Sequence, residues 1–212
     1  MQPTPAEITQ AAAALMQGGI VAFPTETFYG LAVNPLVAGA MAKLFVLKHR
    51  SPDKPLLLLI DKVARLAQLV AAVPPLYAPL MARFWPGPLT LIFPARVGLP
   101  EGLSDARGTI GIRLSSEPLA CKLAAAAGGV ITGTSANPSG VPAAHTSQEV
   151  KALFPTGLAR ILDGGVAPGG LGSTIVAEDG GALRLIRSGA IPFSEILAAV
   201  AASEPGCGGS TS

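Results

Sequence analysis

Apolar residues in this chain come in short runs, at 20–23, 55–60, 89–93, 109–114 and 174–177, separated by segments of helical spacing and by Pro and Gly. Runs of that length read as strands, and their repeated alternation with helical segments restricts the chain to a layered α/β architecture. Apolarity is high throughout, with 50% hydrophobic residues among 212 and a mean hydropathy of +0.51. Even so, no stretch approaches the roughly 18 uninterrupted apolar residues of a membrane span. The segment 63–82 holds Arg65 and three prolines, and the Ala-rich 119–130 is broken by Lys122 and the Gly128-Gly129 pair. Charged residues make up only 13%, against roughly 25% in an average domain. The balance of 15 Lys+Arg and 13 Asp+Glu, a net +2, sets up no global field for nucleic acid, so a positive site has to be local. The first apolar residues lack a basic signal-peptide flank, and Cys121 and Cys207 form neither a disulfide framework nor a metal site; the expected compartment is the cytoplasm, with no membrane partner.

Thr4-Pro5-Ala6-Glu7 is a helix start with a capping box, and that helix should stop at Gly18-Gly19. A strand at 20–23, a polar turn Thr25-Glu26-Thr27 and a strand at 28–31 follow. Helical spacing then runs over 36–47 until the prolines of Arg50-Ser51-Pro52-Asp53-Lys54-Pro55 end it. Further helices are expected at 63–70, 74–84, 117–127, from a second capping box at Thr146 and Glu149 toward Phe154, and at 192–202. Strands are expected at 55–60, 89–93, 109–114, 130–132, 160–162, 174–177 and 183–187. The expected organisation is one α/β domain over 1–202 built on a mixed sheet, followed by a flexible tail at 203–212.

The usual catalytic motifs are missing. There is no P-loop, no G-x-G-x-x-G and no G-x-S-x-G, and His49 and His145 are the only histidines. What the chain offers is cations, hydroxyls and Gly-rich turns, which hold phosphates and carboxylates. Lys48-His49-Arg50 leads from a helix into a loop carrying Lys54; the cations suit a polyphosphate, or simply the negative end of the helix dipole. Ser135-x-Asn137 lies in a Gly-bounded turn leaving a strand, where free backbone N–H groups would cradle an anion, or where ordinary turn chemistry suffices. Arg113 is a lone cation in an apolar strand, costly unless paired or facing a cleft. Arg187 ends another strand, and Ser173 follows the Gly-rich 164–172. The Thr25-Glu26-Thr27 loop reads equally as a functional loop or a plain connection. Trp85, His145 and Cys121 read as structural.

Taken together, six motifs stand in the order and spacing of one family: Pro24-Thr25-Glu26-Thr27-Phe28-Tyr29-Gly30-Leu31, Lys48-His49-Arg50-Ser51-Pro52-Asp53-Lys54-Pro55-Leu56, Phe84-Trp85-Pro86-Gly87-Pro88-Leu89-Thr90, Thr134-Ser135-Ala136-Asn137-Pro138-Ser139-Gly140, Ser173-Thr174-Ile175-Val176 and Arg187-Ser188-Gly189. Over about residues 8 to 200 the chain resembles the YrdC-like family, the L-threonylcarbamoyladenylate synthases, in its short single-domain form. The resemblance implies an α/β fold with a twisted mixed β-sheet, helices on both faces and an electropositive cavity. It also implies an enzyme, a nucleotidyltransferase joining L-threonine, bicarbonate and ATP into threonylcarbamoyl-AMP and pyrophosphate for N6-threonylcarbamoyladenosine in tRNA. By the same resemblance Lys48, Arg50, Ser135 and Asn137 are the catalytic tetrad. Arg50, Lys54, Thr109, Ser135 and Arg187 would bind ATP, and Thr27, Arg113, Gly133 and Ser173 would bind threonine. Mg²⁺ would come with ATP and need no dedicated protein site. A threonylcarbamoyl-transferase complex would receive the product, with weak tRNA or RNA binding conceivable. Two positions depart from the pattern: Lys54 stands where many members have Asn, and Leu59 where some have His. The alternatives are a non-catalytic RNA-binding or ribosome-associated paralogue, and a carbamoyl-transfer domain of the kind found in larger hydrogenase-maturation chains.

Overall fold

A computed structural model describes residues 2–51, 56–100 and 102–203. Lys54 and all but Ser203 of the expected tail lie outside these described residues. Among them, nine strands form one mixed sheet: β1 (Val21–Pro24), β2 (Tyr29–Ala32), β3 (Leu57–Ile60), β4 (Leu89–Pro94), β5 (Thr109–Arg113), β6 (Val130–Ser135), β7 (Arg160–Ile161), β8 (Thr174–Asp179) and β9 (Ala182–Arg187). Their order is β7-β1-β2-β6-β3-β5-β4-β8-β9. The pairs β7/β1, β3/β5 and β4/β8 are parallel and the others antiparallel. The helices are α1 (Pro5–Met16), α2 (Ala40–Lys48), α3 (Leu66–Leu69), α4 (Tyr77–Phe84), α5 (Pro118–Ala126), α6 (Ser147–Leu153) and α7 (Phe193–Ala201). None of them is long and apolar enough to cross a membrane.

Each face of the sheet has its own core, so helices cover both. Leu58, Ile60, Leu91, Phe93, Ile112 and Val176 point to the side packed by residues of α2, α4, α6 and α7. Phe23, Leu59 and Ile131 point the other way, against Ala11 and Leu15 of α1 and Leu119 and Leu123 of α5. The strand period of two sets this division: Leu58 and Leu59 are neighbours in sequence and lie in different cores. Trp85 belongs to the larger core as a packing residue, and its indole N–H donates to the Leu89 carbonyl at 2.7 Å.

Several local expectations shift. The Thr4 capping box forms in full. At α6 the Thr146 hydroxyl accepts from the Glu149 N–H at 3.1 Å, whereas the Glu149 carboxylate turns to the N–H of His145 at 2.6 Å, one residue earlier than a standard box. Helix α2 starts at Ala40 because Gly39, at φ 75°, cannot be part of a right-handed helix. The segment 63–70 is a 3₁₀ turn, Val63–Arg65, followed by the single turn of α3. Strand β6 runs on to Ser135, past the expected end at 132.

The last strand turns back at Gly189, where the chain packs directly on the 172–174 backbone. Ala190 N–H donates to the Gly172 carbonyl at 2.9 Å, and the Thr174 hydroxyl bonds both the N–H and the carbonyl of Ile191. A Cβ at Gly189 would sit 2.3 Å from backbone atoms of Gly172 and Thr174, which cannot move aside as a side chain would. Gly189→Ala is therefore expected to destabilise the fold by about 1–3 kcal/mol, measured as a lower urea midpoint at unchanged m.

Candidate active site

The K-x-R motif owes its shape to how α2 ends. Lys48 is the last helical residue and His49 is left-handed at φ 49°. The N–H of His49 bonds the Val46 carbonyl at 3.1 Å and that of Arg50 the Phe45 carbonyl at 3.0 Å, a Schellman closure made without glycine. Lys48 is buried, with its ammonium donating to the carbonyl of Ser135, to the carbonyl of Asn137 at 2.6 Å and to the Asn137 side-chain oxygen at 3.4 Å. In return the Lys48 carbonyl accepts the Ser139 N–H at 2.9 Å. Burial and the neighbouring charge of Arg50 pull the Lys48 ammonium down to about 8, while the three oxygens favour its charged form.

Of the two readings open for the S-x-N turn, a backbone anion cradle and ordinary turn chemistry, its backbone bonds fit the second. Its N–H groups are spent internally: Ala136 donates to the Tyr29 carbonyl at 2.8 Å, Asn137 to Ser135 at 3.0 Å, Ser139 to Lys48 and Val141 to Pro138. Strand β2 and helix α2 take two of those donors and the turn itself takes the other two, so the turn presents side chains. The Ser135 hydroxyl donates to the Asn137 side-chain oxygen at 2.6 Å, and the Asn137 amide donates to the Val141 carbonyl.

Next to this turn, a cavity of about 290 Å³ gathers Thr27, Arg113, Gly133, Ser135, Ser173 and Arg187. In the loop after β1, the Thr25 hydroxyl donates to the Phe28 carbonyl at 2.8 Å and lies 3.1 Å from the Thr27 hydroxyl. The Thr25 oxygen also accepts the N–H groups of Thr27 at 3.2 Å and Phe28 at 3.3 Å, so Thr25 is held within the loop while the Thr27 hydroxyl has lone pairs for the cavity. Arg113 ends β5, buried, with Nη1 3.6 Å from Glu26 Oε1; burial lowers its pKa and Glu26 opposes that shift. Its Nε is buried without a hydrogen-bond partner. Arg187 donates to the Ser173 carbonyl at 3.2 Å from Nε and 2.7 Å from Nη2, and to the Ser173 hydroxyl at 3.1 Å. That hydroxyl is also 2.8 Å from the buried Thr90 hydroxyl. Burial, then the charges of Arg113 and Arg50, lower the Arg187 pKa, so these cations crowd one another.

A β-bulge aims Arg187. Val176 faces Leu185, whereas Ile175 faces Arg187, leaving Ile186 as an extra residue in β9. In an unbulged strand, with regular alternation through Ile186, Arg187 would share the core side with Leu183 and Leu185. With the bulge, Arg187 shares a face with Ile175, Ala177 and Arg184, which line a second cavity of about 1020 Å³ on the same side of the sheet. The two cavities have Leu57 in common. Thr109 lines the larger one, at the far end of β5 and roughly 13 Å from Arg113 at about 3.3 Å per strand residue.

Six of the expected residues thus share the small cavity, and Thr109 lies in its larger neighbour. Lys48 and Asn137 line neither, standing instead behind Ser135. Half-buried Arg50 acts electrostatically on both Lys48 and Arg187. Sequence reasoning missed Thr90, Ser115 and Glu26 as partners of the site. A polar Thr in the apolar run 89–93 and a carboxylate inside the 25–27 turn were the available signals.

The family model for Sua5, YciO and YrdC, described as telomere recombination, matches residues 13–189. A threonylcarbamoyl-AMP synthase of Halorhodospira halophila is 37% identical over 176 residues, covering 83% of this chain and 91% of that protein. One from Bacillus subtilis is 37% identical over 198 residues, covering 92% of this chain and 56% of its own length. The crystal structure of P. abyssi Sua5 complexed with L-threonine superposes with a TM-score of 0.89 at 33% identity, over 94% of this chain and 58% of that one. The chain therefore spans a little over half the length of these longer relatives. With a matching family model over most of its residues, relatives above 30% identity and the same sheet, the chain belongs to the Sua5/YciO/YrdC family.

Proposed function

We propose that this protein joins L-threonine, bicarbonate and ATP into threonylcarbamoyl-AMP and pyrophosphate, as a cytoplasmic enzyme with residues 1–202 as its catalytic unit, supplying a transferase complex that modifies tRNA. The observation that carries this reading is Arg113: a buried guanidinium at a cavity of amino-acid size, with an unpartnered Nε. Relatives named threonylcarbamoyl-AMP synthase, and a relative complexed with L-threonine, support it. The adjoining cavity of about 1020 Å³ has room for a nucleotide. A non-catalytic RNA-binding role has no comparable support.

In this reading the Arg113 fork takes the threonine carboxylate, a bidentate charge-assisted contact. Thr27 offers lone pairs to the amine, and Gly133 and Ser173 complete the amino-acid subsite. The amine attacks the bicarbonate carbon, giving a carbamate and water. A carbamate oxygen then attacks the α-phosphorus of ATP as the bond to pyrophosphate breaks. Both steps gather negative charge, which Arg50, Lys54, Arg187 and the Ser135 hydroxyl are suited to stabilise, with Thr109 on the nucleotide side. Lys48 and Asn137 contribute by holding Ser135. Mg²⁺ fits as an ion carried by the phosphates: among the described residues no three of His, Cys, Asp or Glu gather, while phosphate oxygens are the hard ligands it takes. When bound it neutralises phosphate charge.

Mass detection of threonylcarbamoyl-AMP, with threonine-dependent pyrophosphate release in the absence of tRNA, tests the reaction; no product and no threonine-dependent release would reject it. Arg113→Lys keeps the charge and loses the fork. It is expected to raise the threonine KM at least about tenfold, a charge-assisted hydrogen bond being worth about 1.5–3 kcal/mol, with the ATP KM within about twofold. Lys48→Met should lower turnover by about tenfold or more by freeing the turn. It also carries a pH signature. The Lys48 pKa falls from 10.5 to about 8 on folding, so the unfolded chain binds more protons between those values. The unfolding free energy of the wild type, relative to Lys48→Met, should therefore rise with pH across that window; denaturant titrations at pH 7.5 and 10 check the sign.

A further inference from the structure

The mechanism leaves one partly buried carboxylate at the site unused, with its Oε1 atom fully buried. Glu26 lines neither cavity, and its side chain is 13% exposed. Its Oε2 accepts a hydrogen bond from the hydroxyl of Ser115, which follows Arg113 by two residues. The same Ser115 oxygen accepts the Glu117 N–H at 3.2 Å, at the start of α5. Ser115 has one proton, and it goes to Glu26.

The other carboxylate oxygen is held differently. Oε1 lies 3.6 Å from Arg113 Nη1, close enough for charge attraction and too far for a hydrogen bond. Both Oε1 and Arg113 Nε are buried without hydrogen-bond partners. In a guanidinium, Nη1 lies away from the side-on fork formed by Nε and Nη2. Glu26 thus balances the buried charge at one end and leaves the fork unclaimed. A buried arginine with no countercharge would be costly, while one whose Nε–Nη2 fork were taken by a protein carboxylate would have no side-on fork left for a ligand. A loose pair, fixed on the carboxylate side by Ser115, avoids both.

We infer that Glu26 is a positioning residue, held by Ser115, that sets the plane of the Arg113 guanidinium so that its Nε–Nη2 fork meets the carboxylate of an α-amino acid. The inference rests on Arg113 being the carboxylate receptor proposed above. Both sides of the ion pair come from neighbouring pieces of backbone: the 25–27 loop also carries Thr27, and the end of β5 carries Arg113 and then Ser115. Orienting the fork therefore also fixes the spacing between the carboxylate and amine subsites.

The experiment begins with the wild-type chain and steady-state formation of threonylcarbamoyl-AMP. If the wild type makes no product and binds no threonine by calorimetry, the functional reading fails and takes this inference with it. If it is active, Glu26→Gln decides. Gln keeps the size and an acceptor for Ser115 and loses the charge. The expected result is a threonine KM raised about tenfold or more, with kcat and the ATP KM within about twofold. The preference for threonine over threoninamide, which reads carboxylate recognition directly, should shrink at least about threefold. Ser115→Ala, which leaves the charge and frees the carboxylate, should move both quantities in the same direction by less. Unchanged threonine KM and unchanged selectivity, in whichever of the two variants unfolds at the wild-type Tm, overturn the inference.

Discussion

The Lys48 ammonium ties together the two motifs around which the site is arranged. It is buried at the end of α2 and reaches across to the oxygens of Ser135 and Asn137, 87 and 89 residues further along the chain. Desolvating an ammonium is expensive, and it is tolerable here because three oxygens surround the charge. The Lys48 carbonyl and the Ser139 N–H close the same junction from the other side. With this clasp made, the end of β6 cannot drift from α2, and the Ser135 side chain stays beside Thr27 and Arg113 at the cavity.

The space for ligands depends on residues with no side chain. On the cavity side of the sheet, a Cβ at Gly133 would lie 2.7 Å from Leu59 Cγ, and one at Gly111 would lie 2.4 Å from Leu57 Cδ2. These strands are therefore close-packed by leucines of β3, of which Leu57 lines both cavities and Leu59 the smaller one. Arg113 and Arg187 line the smaller cavity, and Arg50 acts on Arg187 and on Lys48 behind Ser135. The lowered pKa values of Arg187 and Lys48 both include repulsion from Arg50. Such mutual repulsion is relieved by an anion entering between the charges, which favours polyanionic ligands without requiring a large net charge.

Much of this was legible in the sequence because it is local. The Thr4 cap, the helix-ending role of Lys48-His49-Arg50, the strand-turn-strand around Thr25-Glu26-Thr27 and the placement of Arg113 and Arg187 at strand ends all follow from short patterns. The misreadings also have local causes. Gly39 breaks a helical pattern that hydrophobic spacing alone extends to 36, and Glu149 has two possible N–H partners one residue apart. For the S-x-N turn the residue types permit both a backbone anion cradle and an ordinary turn. Whether its N–H groups are free depends on Tyr29 and Lys48, which are remote in sequence. Glu26 was visible only as a polar residue in a loop, and its partners Arg113 and Ser115 lie nearly 90 positions away.

By itself, then, the sequence determined the inventory: a charge-poor chain of alternating strands and helices, with its few cations placed at helix and strand ends. That much is set by residue periodicity and backbone preference, which act over a few residues. Only the tertiary structure decided which way those cations face. The alternation of β9 read alone puts Arg187 on the side of Leu183 and Leu185, and the bulge at Ile186 in its pairing with β8 turns it to the cavity. Likewise, only the fold brings the carbonyls of Ser135 and Asn137 to the Lys48 ammonium, 87 and 89 residues away in sequence. Side-chain direction in a sheet changes with a one-residue register shift, and a buried charge goes to the acceptors the assembled fold brings to it.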